Sequence, residues 1–201
     1  MEAERSDLGT RIVVVGTSGS GKTTVARQLA AILCVTHVEL DALNWEADWV
    51  GLNEHDPQEF RRRVEDAVGG EAWVVDGNYG IVRDLVWPKA TAVVWLDYPL
   101  WIALWRIAKR TIPRIVTKEP LWKGNTESFR TQFLSHESLF LWAIKTHRRR
   151  HTTYPAVLAR PEHAHLEVVR HRSPRETSVW LRRIAAGEDA GSRASGSRDA
   201  S

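Results

Sequence analysis

Arg11-Ile12-Val13-Val14-Val15-Gly16-Thr17-Ser18-Gly19-Ser20-Gly21-Lys22-Thr23-Thr24 is the stretch that decides the fold of this chain. Its first five residues read as a buried strand of β-branched side chains. Gly16 to Thr23 then match G-x-x-x-x-G-K-[ST] in full, and Val25, Ala26, Leu29, Ala30, Ile32 and Leu33 recur behind them at helical spacing. Strand, glycine loop and helix together are the setting this motif requires. The loop Gly16, Thr17, Ser18, Gly19, Ser20 and Gly21 can curl its backbone N–H groups around phosphate oxygens, and the helix N-terminus adds its positive dipole end. Lys22 is expected to reach the β- and γ-phosphates, the Thr23 hydroxyl to ligate Mg²⁺, and Thr24 to complete the nucleotide-binding set. The expected ligand is a nucleoside triphosphate.

The bulk of the chain frames that reading. At 201 residues it can build one sizeable core but not two ordinary domains. Hydrophobic residues make up 43% and charged residues 26%, in the range of a soluble globular protein. The net charge of +3 leaves any basic surface to local clustering. A single cysteine, Cys34, excludes an internal disulfide and suits a reducing compartment. Met1 to Asp7 carry no apolar signal-peptide core, and the run Pro99 to Trp105 is far short of the about 20 residues of a membrane span. The expectation is a cytoplasmic protein without a membrane partner. Of ten tryptophans, Trp73 and Trp95 fall in strand patterns and are expected in the core. Trp45 and Trp49 fall in a loop-like stretch, where Trp45 can wall a substrate pocket.

Strand patterns lie near 11–15, 35–40, 72–76, 91–96 and 165–169, with helical patterns between them. The spacing predicts a helix over 57–69, capped by Asp56 with Pro57 in its first turn and Glu59 completing a capping box. A last helix repeats the device with Ser173, Pro174 and Glu176, and turns Trp180, Leu181 and Ile184 inward. Strands alternating with helices imply an α/β, three-layer fold with a five-stranded parallel sheet flanked by helices. One domain is expected over 11–185, after a flexible N-terminus at 1–10 and before a disordered tail at 186–201 rich in Gly, Ser, Arg, Asp and Ala.

Ligands in such sheets sit beyond the carboxyl ends of the strands. Three strand patterns end there in aspartate: Asp41, Asp76 and Asp97. Beside a phosphate loop they suit a Mg²⁺ and acceptor site, with Asp76 as the second metal residue after Thr23. Phosphoryl transfer also needs cations as charge shifts in the transition state. Arg106 and Arg110, one helical turn apart, follow the fourth strand together with Lys109 and Arg114. Pro113 and Pro120 interrupt the helix around Lys118, Lys123 and Gly124, so residues from about 111 to 135 are expected to form a helical lid that excludes water.

These residues carry a family resemblance. Asp76-Gly77 after an apolar strand, with Leu96-Asp97-Tyr98-Pro99 and the downstream Arg106 and Arg110, resembles the nucleoside monophosphate kinase pattern. Glu39-Leu40-Asp41-Ala42-Leu43-Asn44-Trp45, Asp76-Gly77-Asn78-Tyr79 and Trp122-Lys123-Gly124-Asn125 are similar to a group of small adenylate-kinase-like proteins often labelled DNA topology modulation proteins. The likeness covers residues 11 to about 184 and implies an adenylate-kinase-like P-loop NTPase fold with ATP in the loop. It also implies that Arg172 to Arg175 pack near adenine, with Arg175 in the nucleotide-binding set. Adenylate kinases follow their D-G pair with a proline-arginine element, whereas this chain has Asn78-Tyr79-Gly80 and its nearest arginine is Arg83. Either Arg83 takes that arginine's role or the acceptor is not a nucleotide. Asp41 resembles the acceptor-binding aspartate of shikimate- and gluconate-type kinases, where it can accept a hydroxyl proton.

His147-Arg148-Arg149-Arg150-His151 is expected at the end of a helix, where cations suit the dipole. A solvated terminal turn, a contact to the transferred phosphate and a contact to a nucleic-acid backbone all stay open for it. His163 and His165 have no partners at zinc-ligand spacing. The sequence reading is an ATP- and Mg²⁺-dependent small-molecule kinase. Lys22, Asp41, Arg106 and Arg110 act at the transfer step, and Asp41, Trp45, Asp76, Asn78 and Arg83 meet the acceptor. The competing reading is an ATP-binding regulatory or nucleic-acid-associated protein with weak or no kinase activity, a partner class that the strand-end carboxylates disfavour.

Overall fold

Five short runs of β-branched and aromatic residues pair into one parallel sheet. In the computed structural model, backbone is described for residues 8–117 and 139–187, and side chains in those segments except at 110–117 and 139–142. The strands are β1 (Arg11–Gly16), β2 (Thr36–Glu39), β3 (Trp73–Asp76), β4 (Ala92–Leu96) and β5 (Glu167–His171), in the spatial order β2-β3-β1-β4-β5. Every pairing is parallel, as the expected α/β class requires. The helices are α1 (Lys22–Leu33), α2 (Leu40–Asn44), α3 (Leu52–His55), α4 (Pro57–Ala67), α5 (Arg83–Val86), α6 (Leu100–Thr117), α7 (Leu139–Leu158) and α8 (Pro174–Ala185).

The period of two along β1 splits the core into two layers. Val13 and Val15 face one way, onto Phe60 and Val64 of α4 and onto Trp87. Ile12 and Val14 face the other, onto Leu29 of α1 and Trp180 and Ile184 of α8. With both faces covered, the central strands can be apolar at every position. Trp73 and Trp95 lie in this core as expected, at 0% and 3% exposure, whereas Trp101 and Trp105 on α6 stand in solvent at 68% and 60%.

The two capped helices form on the anticipated residues. The Asp56 carboxylate accepts the Glu59 N–H at 3.1 Å, and Ser173 Oγ accepts the Glu176 N–H at 3.2 Å. Glu176 Oε2 in turn accepts the Arg172 N–H at 2.7 Å, so both ends of the capping arrangement are bonded. α4 stops at Ala67, two residues before the sequence-based boundary, and β5 starts at Glu167 rather than 165. Leu166 N–H closes a turn on the His163 carbonyl, and the His165 ring bonds to the Trp87 carbonyl, so the chain can extend only beyond them.

Leu8, ahead of β1, is fully buried, and its carbonyl accepts the Thr91 hydroxyl at 2.6 Å. One further difference is larger. The cluster His147–His151 is not at a helix end, because α7 continues through Pro155 to Leu158. The Thr152 and Thr153 hydroxyls bond back to the Arg148 and Arg149 carbonyls across this last stretch. Residues 118–135 of the anticipated lid, residues 1–7, and the tail from 188 lie outside the described residues. Among the described residues no helix is long and apolar enough to cross a membrane.

Candidate nucleotide and acceptor site

The loop between β1 and α1 has the geometry its letters imply. Gly19 has φ +82°, and a Cβ there would stand 2.5 Å from the Ala103 carbonyl oxygen and 2.7 Å from Ile107 Cγ1 of α6. Only glycine meets both conditions. Gly21 caps α1 in the left-handed region without a side-chain cap, so the first-turn N–H groups of α1 point to where an anion can bind. Ser20 N–H turns back on the Thr17 carbonyl at 3.0 Å, and Lys22 Nζ reaches the same carbonyl at 3.3 Å. Thr23 is half-buried in the first turn of α1, Thr24 exposed, and Ser18 half-buried in the loop.

α6 packs beside this loop and delivers Arg106, whose Nη1 donates to the Ser20 carbonyl at 2.6 Å. The same guanidinium lies over the Tyr98 ring, 5.5 Å from its centre, which keeps the long side chain aimed at the loop. Arg110 follows one turn on in α6, and its side chain lies outside the described residues. Arg175 is exposed in the first turn of α8.

The strand-end carboxylates are divided between two places. Asp76 ends β3 at 2% exposure, and its Oδ1 has no hydrogen-bond partner. His37 Nε2, also without a hydrogen-bond partner, is 3.6 Å from that oxygen. Glu39 stands level with Asp76 in the β2–β3 register. Burial raises the pKa of the Glu39 carboxyl above its ordinary 4.5, and the negative charges of Asp76 and Asp41 raise it further. Asp41 lies in the first turn of α2, two residues past the end of β2, and Tyr79 O–H donates to its Oδ1 at 2.6 Å. Burial, then the charge of Asp41, pushes the Tyr79 phenol upward, so it stays a donor. Asp97 does not join this group. β1 separates β3 from β4, and the Asp97 carboxylate is held by Arg170 Nε at 3.0 Å and by His151 Nδ1 at 3.1 Å.

The raised Glu39 pKa gives a test of sign. Ionised Glu39 destabilises the fold at every pH above its raised value, and the cost disappears below 4.5, where the free carboxyl is also protonated. Glu39→Gln should therefore melt at a higher temperature than the parent at pH 7 in the absence of ligands, with the gap closing as the pH is lowered to 4. A lower melting temperature at pH 7 would contradict the placement of Glu39.

Sequence reasoning left the basic cluster undecided, and the fold divides it. Arg148 and Arg149 are exposed. His147 turns to the loop, its Nδ1 3.1 Å from Thr17 Oγ1, and Arg150 Nη1 donates to the Gly16 carbonyl at 3.4 Å. One turn further along the same face, Tyr154 O–H donates to Asn78 Oδ1 at 3.0 Å. Burial lowers the pKa of the His147 ring and of the Arg150 guanidinium, the latter still a cation at any working pH. The readable signal was the spacing 147, 150, 154, which places three polar side chains on one helical face.

The residues anticipated to meet an acceptor lie around α5 and α2. Arg83 lies over the Trp87 ring, 4.8 Å from its centre, and a small cavity is lined by Leu40, Asn78, Tyr79, Arg83 and Trp87 among others. Trp45 is outside that lining; it packs edge-on against Trp49 with ring centres 5.5 Å apart and bridges to Gly51. Among the described residues no three His, Cys, Asp or Glu side chains group to hold a metal ion by themselves.

No family model matches this chain, and no curated protein matches its sequence. Solved structures do. A shikimate kinase from Acinetobacter baumannii in complex with shikimate aligns at TM-score 0.55 and 18% identity, over 89% of this chain and 92% of that one. A gluconokinase from Sinorhizobium meliloti 1021 aligns at TM-score 0.51 and 19% identity, over 91% and 93%. A shikimate kinase from Bacteroides thetaiotaomicron aligns at TM-score 0.50 and 16% identity, over 88% and 96%. At these identities the likeness establishes the fold: the five-stranded parallel, adenylate-kinase-like fold of small P-loop kinases.

Proposed function

We propose that this chain is an ATP-dependent phosphotransferase that moves the γ-phosphoryl group to a small acceptor. The observation that carries this reading is Asp76, a buried carboxylate with an unpartnered oxygen at the sheet edge that also holds the phosphate loop. Asp76 Oδ1, with no hydrogen-bond partner and the His37 ring 3.6 Å away, and the Thr23 hydroxyl fit a hard divalent cation, which would be Mg²⁺. When bound, Mg²⁺ neutralises phosphate charge and orients the β- and γ-oxygens.

The chain's own groups divide the remaining work. The loop amides and Lys22 hold the β- and γ-phosphates in place. Asp41 orients the acceptor hydroxyl and accepts its proton, while Tyr79 fixes the carboxylate that does so. Arg83 binds an anionic part of the acceptor from its cavity, while Trp45, outside that cavity, and Asp76, at the end of β3, meet the acceptor from elsewhere. Arg106 holds the loop backbone from α6, Arg110 is assigned to the transfer step with it, and Arg150 stabilises the migrating phosphoryl group. Arg175 borders the nucleotide base. The lid is proposed over 111–135, which starts within α6 and from 118 lies outside the described residues, in one catalytic domain over 11–185.

The shikimate and gluconate kinases that share the fold support an acceptor that offers a hydroxyl beside an anionic group. The narrower resemblance to the DNA topology modulation group supports a nucleotide-handling protein without fixing its acceptor. The test is ADP release from Mg-ATP with nucleoside monophosphates, nucleosides, shikimate, gluconate and other polyols. One acceptor is expected to stimulate release strongly. Asp41→Asn should then lower kcat for that acceptor by about 10²-fold with nearly unchanged nucleotide affinity. If nucleotide affinity falls instead, Asp41 is a metal ligand and its assigned role is wrong.

A further inference from the structure

We infer that Asn78 and Tyr154 are positioning residues that hold the first peptide of the phosphate loop, so that α7 sets the loop's affinity for nucleotide. The inference rests on the proposed nucleotide site and deepens it.

Gly16 is buried where β1 leaves the sheet. Its neighbour β3 ends at Asp76, and the last backbone bond between the two is Gly77 N–H to the Val14 carbonyl at 3.4 Å. Beyond that point β3 offers no further strand backbone to pair with Gly16. The Asn78 side-chain amide takes its place. Its Oδ1 accepts the Gly16 N–H at 3.2 Å, and its Nδ2 donates to the Gly16 carbonyl at 2.7 Å. A primary amide has the donor and acceptor geometry of a backbone peptide, so one side chain extends the ladder by one pair.

The amide is itself held from α7. Tyr154 O–H donates to Asn78 Oδ1 at 3.0 Å, and Arg150 Nη1 donates to the Gly16 carbonyl at 3.4 Å. Burial pushes the Tyr154 phenol above its ordinary range, which keeps it a donor at working pH. Each oxygen in the network therefore accepts two hydrogen bonds, and the Asn78 amide is oriented by them rather than turned to an acceptor. Without the amide, the buried Gly16 N–H would lose its side-chain partner and the Gly16 carbonyl would keep only the long bond from Arg150, and the loop would have more than one arrangement. A loop that must be ordered at binding binds more weakly.

Tyr154→Phe removes one hydroxyl and leaves a ring packed edge-on against Trp95 and Trp87, with centres 5.6 and 6.4 Å away. Asn78→Ala removes the amide. Calorimetric titration with a Mg-bound, non-hydrolysable ATP analogue, without acceptor, should show affinity weakened about fivefold to tenfold for each. The double variant should be no weaker than Asn78→Ala alone, because Tyr154 acts through Asn78. Three results would overturn the inference: unchanged analogue affinity with a lowered melting temperature, additive losses in the double variant, or a raised KM confined to the acceptor. Parent protein and Lys22→Ala run alongside. Analogue binding to the parent that is lost in Lys22→Ala sustains the nucleotide site, so an unaffected Tyr154→Phe then rejects the positioning role alone.

Discussion

Lys22→Ala is expected to lower ADP release by at least about 10²- to 10³-fold while the protein still folds. Lys22 is half-buried, and its Nζ reaches the Thr17 carbonyl across the loop. Truncating it removes one side-chain donor, and no core residue moves. The thermal cost should stay near that of a surface change, about 0.5 kcal/mol. The functional cost is expected to be far larger, because the proposed role of the ammonium is to hold the β- and γ-phosphates, where charge develops during transfer. Steady-state turnover and a melting curve on the same preparation separate the two effects. Full activity in Lys22→Ala would remove the phosphate loop from the mechanism.

The second large effect is expected at Arg150. Arg150→Met keeps much of the aliphatic bulk and removes the guanidinium, and should lower kcat by about 10²- to 10³-fold. Arg150 stands at the Gly16 carbonyl, at the first residue of the phosphate loop, and is largely withdrawn from solvent. Arg150→Lys should restore little, because a point charge lacks the planar fork that can bond two phosphate oxygens. Arg148→Ala and Arg149→Ala, on the exposed side of the helix, should leave kcat within about twofold. The reverse ranking, with loss at 148 and 149, a salt-sensitive DNA shift that depends on them and a silent Arg150, would favour the nucleic-acid-associated reading.

The contrast between those neighbours shows what the sequence can and cannot disclose. The loop from Gly16 to Thr23 was legible because its chemistry is local: a strand, glycines at fixed offsets and a helix start. The caps at Asp56 and Ser173 were legible for the same reason. Asp76 was legible as a strand end. What escaped depends on which strands become neighbours. Asp97 has the same local signature as Asp76, yet β1 lies between their strands, and Arg170 of β5 and His151 take the Asp97 carboxylate. Glu39 drew no attention as a strand residue until the β2–β3 register set it beside Asp76. The basic cluster reads as a helix end because cations suit the helix C-terminus, whereas α7 continues past it, through Pro155, to Leu158. The roles of Asn78, Arg150 and Tyr154 depend on where that helix crosses the loop, and no local pattern contains that information.

Transfer of the γ-phosphoryl group itself tests the central claim most directly. ATP labelled in its γ-phosphate, with Mg²⁺ and each acceptor in turn, should place label on one acceptor. Its rate should match ADP release, and Lys22→Ala should give none. Label found only in inorganic phosphate, at a rate that no acceptor changes, would contradict a phosphotransferase and leave a nucleotide-hydrolysing or nucleotide-sensing protein.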